Sequence, residues 1–276
     1  MSQKELLGRY GIRPVKRRGQ NFLVDGNLAR WLADRVRSLG NGVLELGAGG
    51  GALTAPLLAA GAQVTAVEVD RKLCQLLTQE FGANPRFRLL EADLATLAWS
   101  EQLAAVGSQP VVAGNLPYLM TSTVLFALAD CQTQIGGAVL MVQQEVADRL
   151  AAEPGSRQFG TLAALLGSIF AIEVLRRVPA AVFWPRPEVT SAVVKLLPKT
   201  AWSPDEFAFL RQTVKGLFAQ RRKKVGTVLR NRFGLTSDQV TQIANLTGID
   251  LNCRPEQLSR QALRSLAAAL AEGERG

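Results

Sequence analysis

PVVAGNLPYLMTSTVLF, residues 110–126, sets a short apolar run against an abrupt polar stop. Val111–Ala113 reads as a buried strand, and a helical pattern starts near Ser122. Asn and Pro between them would supply the turn that ends the strand. That accounts for two residues at most. It leaves unexplained an amide, an aromatic ring and a fixed backbone, Asn115-Leu116-Pro117-Tyr118, side by side at a strand's carboxyl end.

Outward from this stretch, β-like runs alternate with helical patterns. Leu28–Leu39 has helical spacing, then Val43–Leu46 precedes the helical Ala52–Ala60, and Val64–Val67 precedes Arg71–Phe81. Phe87–Leu90, Val111–Ala113 and Ala138–Val142 continue the series, and Val174–Val178 with Ser191–Leu197 read as two closing strands forming an antiparallel, hairpin-like end. The alternation predicts a doubly wound, largely parallel α/β sheet. Beyond Pro198 the pattern turns helical (204–219, 222–233, 237–246 and 255–271), which predicts a small all-helical C-terminal domain. The expected division is 1–200 and 201–276, the first opening on a basic N-terminal arm.

The residues at successive strand ends narrow the chemistry. After the first strand comes Glu45-Leu46-Gly47-Ala48-Gly49-Gly50-Gly51-Ala52, where glycines admit a ligand close to the backbone and the next helix offers free N–H groups. Alone this fits G-x-G-x-x-[GA], so a nicotinamide Rossmann domain is a rival. Glu68 ends the second strand, where it can bind a ribose diol. Asp93 follows the third, where it can accept from an adenine amine, and Asn115–Tyr118 follows the fourth. Each acid alone is better read as a helix cap or solvated turn. In this order the four form a cradle for S-adenosylmethionine.

Composition removes other chemistries. The chain has 276 residues and no histidine, which excludes Ser-His-Asp and Cys-His triads and H-E-x-x-H zinc sites, and no metal site is expected. Cys74, Cys131 and Cys253 are far apart, as in a protein of a reducing compartment, and a cytoplasmic location is expected. No apolar run reaches the roughly 18 residues of a membrane span. Net charge is +9, with Lys4, Arg9, Arg13, Lys16, Arg17 and Arg18 in the first 20 residues and 13 cations against 7 acids in residues 199–276. Such a balance favours a polyanion, nucleic acid before membrane.

An exocyclic adenine amine can be methylated without a histidine base. Its lone pair is delocalised into the ring, and acceptors placed on its two protons favour the pyramidal form that exposes it. Asn115 Oδ1 and the Leu116 carbonyl suit that role, Pro117 fixes the turn, and Tyr118 can stack on an extruded base. The proton leaves after transfer, when the nitrogen is acidic. Positioning and electrostatics would carry the catalysis.

Taken together the motifs resemble the ribosomal RNA adenine N6-dimethyltransferases over nearly the whole chain. They are Gly19-Gln20-Asn21-Phe22-Leu23, the glycine loop, Ala66-Val67-Glu68, Asn115–Tyr118 and Gln144-Glu145-Val146, then Phe183-x-Pro185-x-Pro187-x-Val189, Ser191–Val194 and Gln220–Lys223. The resemblance implies a Rossmann-like class I S-adenosylmethionine-dependent methyltransferase sheet with the helical domain as an RNA- or ribosome-binding part. It implies dimethylation of two adjacent adenosines near the 3′ end of 16S rRNA, within a small subunit or its precursor, by a monomer. Asn21, Leu23, Gly47, Glu68, Asp93 and Asn115 would line the cofactor site; Leu116, Pro117, Tyr118 and Phe183 would surround the base. Phe183 also reads as a core aromatic under a proline-rich loop. Ala48, Gly50, Leu119, Phe159, Arg186 and Glu188 depart from the usual pattern, none at a residue assigned to transfer.

Two readings compete on the same fold: a large-subunit rRNA methyltransferase of the antibiotic-resistance type, and a non-catalytic assembly or transcription factor. Leu116 and the F-x-P-x-P segment favour the small-subunit enzyme. The basic run Arg221, Arg222, Lys223 and Lys224, expected to open a helix, is assigned to RNA phosphates.

Overall fold

The computed structural model describes residues 2–14, 19–199 and 202–273, so Lys16, Arg17 and Arg18 of the expected basic arm lie outside the described residues. The chain forms two compact units, Met1–Ala147 with Ala171–Pro198, and Asp148–Phe170 with Lys199–Gly276. Sequence patterning sets a single division near residue 200; the helical unit also takes in residues 148–170.

The first unit starts with α1 (Gln3–Arg9), β1 (Phe22–Leu23) and α2 (Gly26–Arg37). Then β2 (Gly42–Leu46), α3 (Thr54–Ala59), β3 (Gln63–Glu68), α4 (Arg71–Phe81), β4 (Phe87–Glu91), α5 (Trp99–Val106), β5 (Val111–Asn115), α6 (Thr121–Asp130) and β6 (Gly137–Gln143) alternate without exception. α7 (Gln144–Leu150) crosses into the second unit. β7 (Phe170–Val178), β8 (Phe183–Trp184) and β9 (Ser191–Pro198) complete the strands.

The seven-stranded sheet has the order β4-β3-β2-β5-β6-β9-β7. β2 pairs in parallel with both β3 and β5, β3 with β4 and β5 with β6, whereas β9 runs antiparallel to β6. The order reverses between β2 and β5, the switch point at which a crevice opens beyond the strands' carboxyl ends. Val43, Leu44 and Leu46 of β2 and Val111, Val112 and Ala113 of β5 are fully buried, as strands covered on both faces should be. Gly114 lets these two strands approach: a Cβ there would lie 2.5 Å from the Leu46 carbonyl oxygen.

Residues 2–14 are more than a solvated arm. α1 is capped by Ser2, whose Oγ accepts from the Glu5 N–H while its own N–H donates to Glu5 Oε2. Leu6 and Leu7 are buried in the same hydrophobic cluster as β2 and α2.

The second unit contains α8 (Thr161–Ile169), α9 (Pro204–Ala219), α10 (Val225–Phe233), α11 (Ser237–Thr247) and α12 (Arg260–Gly273). α9 packs against α8, α10 and α12. It starts on a Ser203–Glu206 capping box, and α10 and α11 end on Gly234 and Gly248 with φ of 70° and 69°. The basic run 221–224 occupies the turn between α9 and α10, correcting the expectation that it opens a helix. Gln220 leaves helical geometry at φ −120°, ψ 41°, and Lys224 is extended at φ −65°, ψ 147°, so α10 starts at Val225.

Candidate active site at the carboxyl ends of the strands

The carboxyl ends of β2, β3, β4 and β5, closed on one side by the N-terminal segment, enclose a cavity of about 420 Å³. Asn21, Leu23, Gly47, Glu68, Asp93, Asn115, Leu116, Pro117 and Tyr118 all line it, although they come from five separate stretches of chain.

Gly47 and Gly49 have φ of +65° and +57°, a backbone that side chains rarely adopt. Their conformation brings the loop against its neighbours: a Cβ on Gly47 would meet Pro117 Cδ at 3.6 Å, and one on Gly49 the Phe22 ring at 3.3 Å. The loop is pinned to β3 by N–H donation from Gly47 and Ala48 to the Val67 carbonyl, at 2.9 and 3.1 Å.

Glu68 is buried at the end of β3. Its Oε2 accepts from the Gly49 N–H at 2.9 Å, and its Oε1 from the Val69 and Asp70 N–H groups at 2.9 and 3.0 Å. Burial pushes the carboxyl above the ordinary range, and the three amide donors oppose that shift. Asp93 is exposed at the rim; its Oδ1 accepts from the Ala95 N–H at 2.9 Å. Val69, Leu73 and Leu94 are apolar residues of the same cavity wall.

Glu45 is the acid whose role the sequence did not reveal. It is 2% exposed, lines the cavity and accepts from Thr54 Oγ1 at 2.7 Å. Burial, with the nearby Glu68 charge adding to it, lifts its pKa to about 8 despite the Thr54 bond. A carboxyl on a strand that is otherwise wholly apolar was the available signal.

At the opposite wall, Asn115 Nδ2 donates to the Asn21 backbone carbonyl at 2.8 Å. That bond uses the donor end of the amide and fixes Oδ1 as the end free to accept. Leu116 is buried, and its N–H donates to the Met141 carbonyl at 3.2 Å. Pro117, at φ −55° and ψ 129°, starts a 3₁₀ turn closed by Met120 N–H donation to the Pro117 carbonyl at 2.8 Å. The half-buried Tyr118 holds its hydroxyl 2.9 Å from the buried Ser191 Oγ, and burial raises its phenol pKa. Leu119 beside it is 73% exposed at the mouth.

Phe183 is not in the cavity wall. It is 4% exposed within the core cluster and pairs through its backbone with Leu23, while Trp184 pairs with Phe22 and stacks on it at 6.4 Å. The aromatic segment thus braces the strand that carries Phe22 and Leu23 into the site. Arg221 has intramolecular partners: its guanidinium donates to the Arg157 carbonyl at 2.6 Å and lies 3.6 Å from Glu256. Arg222, Lys223 and Lys224 are exposed, and Lys224 Nζ donates to Asn252 Oδ1 at 3.0 Å.

Residues 14–272 match the family model described as ribosomal RNA adenine dimethylase. The chain belongs to that family. It is 45% identical over 246 residues to the ribosomal RNA small subunit methyltransferase A of Anaeromyxobacter sp. strain K, covering 84% of each chain. Against the protein of that name from Geobacillus thermodenitrificans it is 38% identical over 283 residues, covering 97% of this chain and 94% of the other. Among solved structures, a dimethyladenosine transferase from Plasmodium falciparum superposes with a TM-score of 0.71 at 19% identity, covering 89% of this chain and 95% of that one. The 23S rRNA methyltransferase ErmE gives 0.67 at 22% identity, covering 91% and 100%. These likenesses establish the Rossmann-like class I methyltransferase fold with its helical C-terminal part. Among the described residues no helix is long and apolar enough to cross a membrane.

Proposed function

We propose that this adenine dimethylase transfers methyl groups from S-adenosylmethionine to the N6 amines of two adjacent adenosines near the 3′ end of 16S rRNA, in a small subunit or its precursor. The observation that carries the reading is the Asn115 amide, tethered by its nitrogen to the Asn21 carbonyl with its oxygen left to accept at the mouth of a nucleoside-sized cavity. Family membership and the small-subunit names of the relatives at 38–45% identity support the substrate.

The residues present fit the proposed methyl donor. Gly47 and Gly49 make a cradle that side chains would fill, Glu68 sits where a ribose diol would lie, and Val69 and Leu94 offer flat apolar contact beside Asp93. S-adenosylmethionine, when bound, supplies an electrophilic methyl group on a sulfonium. Asn115 Oδ1 and the Leu116 carbonyl accept from the target amine, localising its lone pair. Pro117 holds the two acceptors in register, and Tyr118, steadied by Ser191, stacks on the extruded base. Phe183 acts by keeping β1 in place. Arg222, Lys223 and Lys224 contact RNA phosphates from the helical unit. The reading carries with it a cytoplasmic, monomeric enzyme.

The test is methyl transfer to unmodified small subunits and, separately, to large subunits, followed by mapping of the labelled nucleotides. Label at two adjacent adenosines of the small-subunit RNA is expected. Label confined to large-subunit RNA would establish the rival instead.

A further inference from the structure

We propose that Gln3 is a positioning residue for the methyl-donor site, latching the N-terminal helix onto the glycine loop. Its Nε2 donates to the Gly50 carbonyl at 2.6 Å, and its side chain lines the cavity. The inference rests on the cofactor reading above. It goes beyond the match to the family model, which starts at residue 14, after α1.

A seven-residue helix has too few hydrogen bonds to persist alone in water. α1 is held by other means: the Ser2–Glu5 capping box, the buried Leu6 and Leu7, and the Tyr10 hydroxyl donating to Glu80 Oε1 at 2.8 Å. Those interactions fix where Gln3 stands. The loop is shaped to receive it, since a Cβ on Gly50 would overlap Gln3 Nε2 and come within 3.0 Å of Leu7 Cδ2. Gly50 is not among the positive-φ glycines, so its backbone would accept alanine. An alanine there would instead push the Gln3 amide off the loop.

Gly49 and Gly50 are adjacent, and the Gly49 N–H is the donor to Glu68 Oε2. The Gln3 bond therefore secures the loop at Gly50, while the Val67 carbonyl secures it at Gly47 and Ala48. Between them the amides facing the donor are held in one arrangement before the ligand arrives. Preorganisation of this kind acts on affinity for the donor and leaves transfer from the bound state untouched.

Calorimetric titration with S-adenosylmethionine and S-adenosylhomocysteine would be carried out on the full chain, Gln3→Glu, Gln3→Ala, Gly50→Ala and the Gln3→Ala/Gly50→Ala double variant. Gln3→Glu keeps the length and removes the donor. Loss of one such hydrogen bond predicts roughly 2- to 10-fold weaker binding in each single variant. The double variant should be no weaker than the worse single, because both act on one hydrogen bond. KM for the donor should rise with kcat and KM for the subunit unchanged, and hydrogen exchange at residues 47–53 should quicken. Wild-type affinity in folded Gln3→Glu, or additive losses in the double variant, would overturn the latch. Failure of the unaltered protein to bind either ligand would overturn the cofactor reading itself.

Discussion

At Asn115, replacement by Asp would set a second acceptor against the Asn21 carbonyl that its Nδ2 now bonds at 2.8 Å. The side chain should rotate, and both the tether and the placed acceptor would be lost. Removing one such preorganised polar group costs on the order of 10²- to 10³-fold. Single-turnover methylation by Asn115→Asp, with donor and subunits saturating, is expected to fall by that order. Tyr118→Phe keeps the ring and loses only the Ser191 bond, so it should slow transfer less than Tyr118→Ala, for which loss of stacking is worth about 1–3 kcal/mol. Equal rates in the two Tyr118 variants would count against stacking. Glu45 brings a pH dependence. Its pKa rises from an ordinary 4.5 to about 8 on folding, so the folded state holds a proton that the unfolded state has released across that window. Its contribution to stability is therefore greatest below pH 4.5 and declines as pH rises towards 8. Glu45→Gln should flatten the fall in Tm between pH 5 and 9, measured by calorimetry. Glu68, shifted in the same direction, leaves part of the slope behind.

The strand pair β2 and β5 positions everything at the switch point, and Gly114 is where it is least tolerant. A Cβ at 2.5 Å from the Leu46 carbonyl meets backbone, which cannot swing aside as a side chain can. Gly114→Ala should destabilise the first unit by about 1–3 kcal/mol, the usual cost of overpacking, and displace Asn115. Thermal unfolding and transfer assays would check it; wild-type values in both would show that the strands can separate freely. The helices most legible in sequence pair a buried face with an exposed one, and the strands show as short apolar runs whether one face is buried or both. Arg71–Phe81 and Pro204–Ala219 have the residue bounds that periodicity gives, and the strands differ by one or two residues, except β7, whose start lies four residues earlier. α8 was missed because it has no polar face: seven of its nine residues are buried, so periodicity vanishes. α1 and α5, at seven and eight residues, are too short to repeat a helical stripe. β1 and β8 have two residues each and exist through pairing, which no local pattern encodes. The same long-range pairing moved Phe183 from the expected base pocket into the core.

On the scale of the whole molecule, the basic charge of the second unit was plain in sequence, but not how each cation is used. Arg221 is engaged with Arg157 and Glu256, whereas Arg222 and Lys223 are exposed at the turn before α10. Arg222→Gln/Lys223→Gln should weaken subunit binding and lower the log–log salt slope by about 0.7 to 0.9 for each phosphate that is no longer neutralised. Donor affinity should be unchanged. Arg221→Gln should instead lower Tm. An unaltered salt slope in the folded double variant would remove the turn from the RNA interface. The cavity was more legible than the use of the surface cations, because glycines and acids at strand ends are fixed by the sheet while exposed cations are not. Dimethylation of paired adenosines by the Asn115–Tyr118 site is best tested by nucleoside mass spectrometry of small-subunit RNA after reaction with excess enzyme. The expected result is N6,N6-dimethyladenosine at two adjacent positions with the unaltered protein and almost none with Asn115→Asp. Dimethyladenosine undiminished in folded Asn115→Asp, or a product carrying its methyl groups elsewhere, would contradict it.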